Sequence, residues 1–333
     1  MRRLMEILHS GKPQLLELEN VVGVGLGYKE VGGTNCDQMA VKVLVKRKIP
    51  SSDIPKTQIV PRTIQNVATD VIEVGELTLL NRTNKVRPAS PGVSIGHPKV
   101  TAGTFGAVVR DRKTGRPLIL SNNHVLANIT DGTDGRAKVG DPILQPGRYD
   151  GGQMEDVIGH LERFVPIRRV TSRPVCPIAL GVEFLGNAVL KAIQPAYEIR
   201  FVRMNNAENL VDAAVARPVS DDAVMASVLE VGEVRGVREV EIGMRVKKSG
   251  RTTGITTGVV RVIKATLKVS LGDVGEAYFA DQIVTTAMAE PGDSGSLVVT
   301  EDGDAVGLLG AGSDQATICS RIQNVLEMLD VTF

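Results

Sequence analysis

The chain contains no tryptophan and only four tyrosines and six phenylalanines among its 333 residues. That leaves few rings for stacking nucleic-acid bases or sugars. Its three cysteines, Cys36, Cys176 and Cys319, are odd in number and widely spaced. No zinc motif can be built from that pattern, and it argues against a disulfide framework. No apolar run reaches the length of a membrane span. The N-terminus, Met1 to His9, starts basic but lacks the apolar core of a secretory signal. A formal net charge of +1 argues against a nucleic-acid or anionic-membrane partner recognised by bulk electrostatics. These absences predict a cytoplasmic protein that engages neither nucleic acid nor membrane.

What remains is ordinary for a globular chain: 42% hydrophobic and 23% charged residues, in a length sufficient for two or three domains. One stretch stands out, Glu290-Pro291-Gly292-Asp293-Ser294-Gly295-Ser296. Gly292 lets the backbone turn sharply, and Gly295 lets another segment approach closely. A serine so placed can expose its hydroxyl beside backbone N–H groups, as a nucleophile next to an oxyanion site requires. By itself the stretch also reads as a Gly-rich turn before a strand.

Two further stretches favour the chemical reading. In Leu118 to Ala127 an apolar strand ends in a polar turn, with His124 where apolar residues resume. In Asn209 to Ala216 a single Asp212 lies within a small apolar run; a buried carboxylate needs a partner, and an imidazole N–H supplies one. Taken singly, His124 reads as a core histidine and Asp212 as a turn cap. The order His124, Asp212, Ser294 is one of the few in which Ser-His-Asp triads occur.

Together these segments resemble the trypsin-like (chymotrypsin-fold) serine proteases. Ser-Asn-Asn-His-Val-Leu-Ala is similar to that family's histidine motif, Leu-Val-Asp-Ala-Ala-Val-Ala to its aspartate motif, and Pro-Gly-Asp-Ser-Gly-Ser to its serine motif. Lys248 to Gly258 resembles a Gly/Thr hairpin of the bacterial α-lytic and streptogrisin branch. The resemblance runs from about Pro91 to the C-terminus. It implies a mainly β fold: a double β-barrel with a first barrel over about 92–217, a second over about 224–319, and a C-terminal helix over 320–330. It also implies His124 as general base, Asp212 as its orienting partner and Ser294 as nucleophile. The N–H groups of Gly292 and Ser294 would form the oxyanion hole. Further, it implies a substrate pocket with Met288 at the base and Leu309, Gly310, Ala311 and Gly312 along the wall, suited to a small or moderate apolar side chain. Asp293 needs a cation to hold the serine turn, and the hairpin points to Arg251. The implied activity is peptide-bond hydrolysis on a polypeptide substrate, with no cofactor and no metal.

Two other classes stay open: a protease-fold binding module without catalysis, and an esterase or acyltransferase using the same serine. The G-x-S-x-G elbow of α/β-hydrolases is absent, because Ser296 stands where the second glycine would be.

Ahead of that region, residues 1–88 read as a small α+β domain, a candidate for substrate docking or for homo-oligomerisation. Leu4, Ile7, Leu8, Leu15 and Leu16 mark an amphipathic helix over 1 to about 18. Val21–Tyr28, Met39–Lys46 and Val71–Glu76 read as strands, with Gly32 and Gly33 in a connection. Gly23, Gly25 and Gly27 precede another strand rather than a helix, which argues against a dinucleotide loop. Asn81 to Pro91 reads as a linker.

Asp212 follows His124 by 88 positions, more than a compact barrel half needs. Phe184 to Ile193, with apolar Leu185, Val189, Ala192 and Ile193, predicts an inserted helix. Asp131 to Gly135 lacks EF-hand spacing and reads as a solvated loop rather than a Ca²⁺ site. His97 and His160 read as surface residues. Ser320 and Gln323 have capping-box spacing for the last helix, whose apolar stripe is Ile322, Val325, Leu326 and Leu329.

Overall fold

The structure, a computed structural model of the full chain, describes all residues except 32–33, 76–81, 173, 175 and 206. The connection through Gly32 and Gly33, and the ends of the expected third strand at Glu76 and of the linker at Asn81, lie outside the described residues. The chain divides into two compact units, Met1–Leu80 and Asn81–Phe333.

The first unit is one helix on one sheet. Helix α1 (Arg2–Leu16) buries Ile7, Gly11 and Leu15 at helical spacing. Gly11 is small for a reason: a Cβ there would sit 3.1 Å from the Ile64 side chain. Strands β1 (Val21–Val31), β2 (Thr34–Val45), β3 (Thr63–Ile64) and β4 (Val67–Glu73) form a sheet in the order β1-β2-β4-β3. Val41, Val43 and Val45 point to one face and pack with Leu15 and Val21, as the period of two requires. On the other face Lys42 Nζ meets Asp70 at 2.7 Å and Glu30 at 3.0 Å. Gly23, Gly25 and Gly27 all lie within β1.

The second unit is two barrels. Its first half holds β5 (Ser94–Ile95), β6 (Gly103–Thr104), β7 (Ala107–Asp111), β8 (Pro117–Ser121), the one-turn helix α2 (Asn123–Leu126), β9 (Pro142–Leu144) and β10 (Val157–Phe164). Then β11 (Thr171–Ser172), α3 (Pro177–Ile193) and β12 (Arg203–Met204) form an excursion that returns through β13 (Glu208–Asn209) to β14 (Ala214–Pro218). The sheet runs β7-β8-β14-β10-β9, and the Gly96–Leu144 bridge links β9 back to the β5–β6 pair, which closes the ring. Its core includes Phe105, Ile119, Leu126, Ile143 and Ile158.

The second half contributes β15 (Gly236–Val237), β16 (Arg245–Gly250), β17 (Gly254–Ser270), β18 (Glu276–Thr286), β19 (Leu297–Thr300), β20 (Asp304–Gly312) and β21 (Ala316–Arg321). Here β18, β17, β16, β19, β20 and β21 pair in sequence, and β21 pairs back to β18: a closed six-stranded barrel. The chain ends in α4 (Ile322–Met328) and β22 (Val331–Thr332). The expected mainly β double barrel with a terminal helix is the observed fold.

Several details differ from expectation. Asn81 to Pro91 is not a free linker, because Ala89 and Ser90 are buried and Ala89 bridges Val224. Arg82 and Arg87 hold this stretch down by donating to the Gly92 carbonyl and to Gln145 respectively. The terminal helix starts at Ile322, and its expected stripe is buried, but Ser320 is not its cap. Ser320 belongs to β21 and points into the interface between the barrels. After α4, β22 pairs with β7 of the first barrel. Helix α3 begins at Pro177, seven residues before the predicted start, because Ile178 to Val182 is apolar on all sides and shows no periodicity.

His160 is exposed as expected, but His97 is only 2% exposed. Its Nε2 lies 3.1 Å from Asp141 and its Nδ1 accepts the Lys99 N–H, so two local polar groups satisfy a buried ring. In the Asp131 loop the Asp131 carboxylate accepts the N–H groups of Thr133 and Asp134 and lies 3.5 Å from Arg169. Arg169 also pairs with Asp134. A guanidinium thus supplies the counter-charge, and no cluster of metal ligands occurs among the described residues.

Candidate active site

The site is built where β8 and β14 run side by side. β8 ends at Ser121, and the chain turns through Asn122 into α2, which places His124 beside the start of β14. The Asn122 side-chain amide donates to the Asp212 carbonyl at 2.7 Å and fixes one turn against the other. Asp212, 6% exposed, faces His124 twice: the His124 backbone N–H donates to Oδ1 at 3.1 Å, and the ring Nδ1 bonds Oδ2. Desolvation disfavours the imidazolium, yet the Asp212 charge and hydrogen bond outweigh it and hold His124 above its ordinary value of 6.5. The carboxylate therefore orients the ring and stabilises its protonated form.

Asp212 is also tied to the second barrel. Its N–H donates to Ser320 Oγ at 3.3 Å; Ser320 Oγ donates to Gln282 Oε1 at 3.2 Å. The Gln282 amide donates to the Leu210 and Ala280 carbonyls at 2.8 and 2.7 Å. This is the interface role of Ser320 that its capping-box spacing concealed.

Ser294 sits on the turn between β18 and β19. Gly292 and Gly295 have φ of 101° and 94°, a region that L side chains rarely adopt. The turn lies against the end of the first barrel: the Thr104 N–H donates to the Ser294 carbonyl at 2.7 Å. A Cβ added to Gly103 would meet both that carbonyl and Val125, the neighbour of His124. Among the described residues Ser294 Oγ has no hydrogen-bond partner, His124 included. Hydrogen bonds of this kind are often long in unliganded sites. The backbone N–H groups of Gly292 and Ser294 likewise donate to no protein acceptor among the described residues.

The turn is held in place by its carbonyls and by Asp293. Thr252 Oγ1 donates to the Pro291 carbonyl at 2.8 Å, and Thr104 Oγ1 donates to the Gly292 carbonyl at 2.9 Å. Because C=O and N–H of a trans peptide point in opposite directions, fixing the Pro291 oxygen aims the Gly292 N–H the other way. Asp293 is fully buried and its carboxylate is saturated. Oδ1 accepts the N–H groups of Thr252 and Thr253; Oδ2 accepts Lys248 Nζ at 3.1 Å, Thr253 Oγ1 at 2.7 Å and the Glu290 N–H at 3.0 Å.

Here the expected Arg251–Asp293 ion pair is corrected. The hairpin is the right element, but its cation is Lys248, which is buried together with Asp293. Arg251 turns away, pairs with Asp150 and stacks 5.2 Å from the Tyr149 ring. The reason is strand parity: Val246, Lys248 and Gly250 of β16 share the inward face, whereas Arg251 is already in the turn. Burial would raise the Asp293 pKa, but the Glu290 N–H, the Thr253 hydroxyl and Lys248 hold it below the ordinary value.

The expected pocket is also redrawn. Met288 and Leu309 pack into the core of the second barrel at 4% and 2% exposure. Met288 is further clamped by Thr317 on its N–H and Thr256 on its carbonyl. A cavity of about 240 Å³ opens beside His124 and Asp212 instead. Gly310 and Ala311 line it, together with Ile129, Leu271, Phe279 and Ile318, while Gly312 does not. Burial pushes the Cys319 thiol up to about 12, so this cysteine is inert in the core.

No family model matches the chain, and no curated protein matches it. Among solved structures it is similar to the Nocardiopsis protease (NAPase), at 19% identity over 73% of this chain and 98% of that one, with a TM-score of 0.46. It is similar to Thermobifida fusca protease A at 18% identity over 73% and 98%, also with a TM-score of 0.46. With Cellulomonas bogoriensis chymotrypsin it shares 15% identity over 74% and 98%, with a TM-score of 0.44.

Proposed function

We propose that the chain is a serine endopeptidase of chymotrypsin-like fold. The observation that carries this reading is the His124–Asp212 contact beside a serine turn that leaves two N–H groups without acceptors among the described residues. His124 Nε2 takes the proton of Ser294 Oγ as the oxygen attacks a peptide carbonyl, then gives it to the departing amine. Asp212 keeps Nδ1 protonated and stabilises the imidazolium. The Gly292 and Ser294 N–H groups receive the oxyanion, a contribution of about 2.7–4 kcal/mol per donor. The cavity beside His124, largely apolar, suits an apolar side chain upstream of the scissile bond.

A fluorophosphonate probe tests the assignment. Adduct formation confined to Ser294, abolished in His124→Ala, supports it; no labelling would leave a non-catalytic scaffold. Hydrolysis of esters without hydrolysis of peptides would favour an esterase.

Two expectations follow from the geometry. kcat/KM should rise with pH through an apparent pKa above 6.5, because neutral His124 is the working base and Asp212 favours its protonated form. Asp212→Asn should cut the rate by about 10⁴-fold and move that limb to lower pH; a limb unmoved in a pH–rate profile would mean another group titrates.

Thr252→Val should lower kcat by roughly tenfold or more with KM little changed, because it frees the Pro291–Gly292 peptide to rotate away from the oxyanion. Thr252→Ser should restore most of the loss. Equal kinetics of the valine and serine variants would remove Thr252 from oxyanion positioning.

A further inference from the structure

Helix α3 buries none of its 17 residues. Its polar groups face its own chain: Asn187 exchanges hydrogen bonds with both the N–H and the carbonyl of Ile199, at 2.7 and 2.8 Å, and Glu183 accepts the Phe201 N–H at 2.9 Å. At 100° per residue, the opposite side carries Ile178, Val182, Leu185, Val189 and Ile193. The first four are spaced four, three and four apart, the repeat of a helix–helix seam. They are 77%, 50%, 65% and 57% exposed, and Ile193 is 69% exposed. Glu183 and Asn187 are thus engaged by the chain itself, while this apolar stripe is left facing outward, as are Leu180 and Phe184 beside it, at 46% and 74% exposure.

We propose that this stripe is a homodimer interface, in which α3 packs against α3 of a second copy of the chain. Five such side chains at roughly 100 Å² each leave about 500 Å² of contiguous apolar surface, as large as the biggest patch on a typical monomer. With a polar rim, that is most of the ~800 Å² each partner contributes to a stable interface. The stripe carries no charge, so a two-fold arrangement brings no like charges together. A lipid surface fits less well. Interfacial helices present a Lys/Arg-rich polar side, whereas here Glu183 and Asn187 are engaged by the chain itself and Lys191 is the only basic residue of α3.

The test is the solution mass of the full chain by light scattering and sedimentation at micromolar concentration. The wild type should have the mass of two chains, and Leu185→Glu with Val189→Glu should halve it without changing circular dichroism or Tm. Because Leu185 lies at the middle of the helix, mixing Leu185→Glu chains with Leu185→Lys chains should restore the two-chain mass. A wild type with the mass of one chain overturns the proposal, as does a double variant that stays dimeric. A one-chain wild type that floats with phosphatidylcholine vesicles overturns it too, and assigns the stripe to lipid.

Discussion

Ser294→Ala is expected to lower kcat for peptide hydrolysis by about 10⁴- to 10⁶-fold, with thermal unfolding within about 0.5 kcal/mol of wild type. The kinetic loss follows from removing the atom that forms the acyl bond. Stability should be spared because Ser294 Oγ has no hydrogen-bond partner among the described residues, while the turn is held by its backbone and by Asp293. His124→Ala should lose nearly as much activity, because a serine hydroxyl without a base is a weak nucleophile; the double variant should be little worse than either alone, since the two act as a unit. Single-turnover kinetics on a peptide substrate checks both. Turnover near wild type in Ser294→Ala would remove Ser294 as the nucleophile.

Lys248→Met is expected to cost about 3–5 kcal/mol, because it strands the Asp293 carboxylate in a fully buried site. Four other donors remain around that carboxylate, but none brings a full positive charge. Turnover should fall with stability, since Asp293 adjoins both oxyanion donors and its loosening disorders them together. The discriminating variant is Lys248→Met with Asp293→Asn. Removing both charges should recover much of the stability and little of the activity, because the NH₂ of an amide cannot accept from the donors that meet one of the two carboxylate oxygens among the four that remain. Urea denaturation alongside kcat separates the two effects. A single variant as stable as wild type would mean that the pair contributes nothing net.

The His124–Asp212 pair and the serine turn were legible in the sequence because their demands are local. A nucleophile turn needs glycines at positive φ on both sides of Asp293-Ser294, and a histidine must stand where a strand breaks into a turn. Those demands write themselves into short motifs. The cation for Asp293 was less legible: Lys247, Lys248 and Arg251 lie within five residues. A signal was nevertheless present. Lys248 shares the face of Val246, two residues before it, and the one-residue shift to Lys247 moves a charge to the other side of the sheet. Thr252 and Thr104 were not legible, since their role depends on which carbonyls the serine turn presents to them, and Thr104 is 188 residues from its acceptor.

The order of motifs and the short strands between turns were enough to imply two barrels, because alternation and turn chemistry act over a few residues. Pairing partners decided the rest. Ring closure through β21 and β18 placed Met288 and Leu309 in a core, and the contact of Asp212 with β21 turned Ser320 from a presumed cap into an anchor. The burial of His97 against Asp141 was decided by residues 44 positions apart. Helix α3 shows the division most plainly. Its composition announces an apolar segment, but which side faces outward was set by two polar residues meeting the backbone of Ile199 and Phe201. Local chemistry selects the turn, strand or helix; the direction a side chain takes depends on what the folded chain brings opposite it.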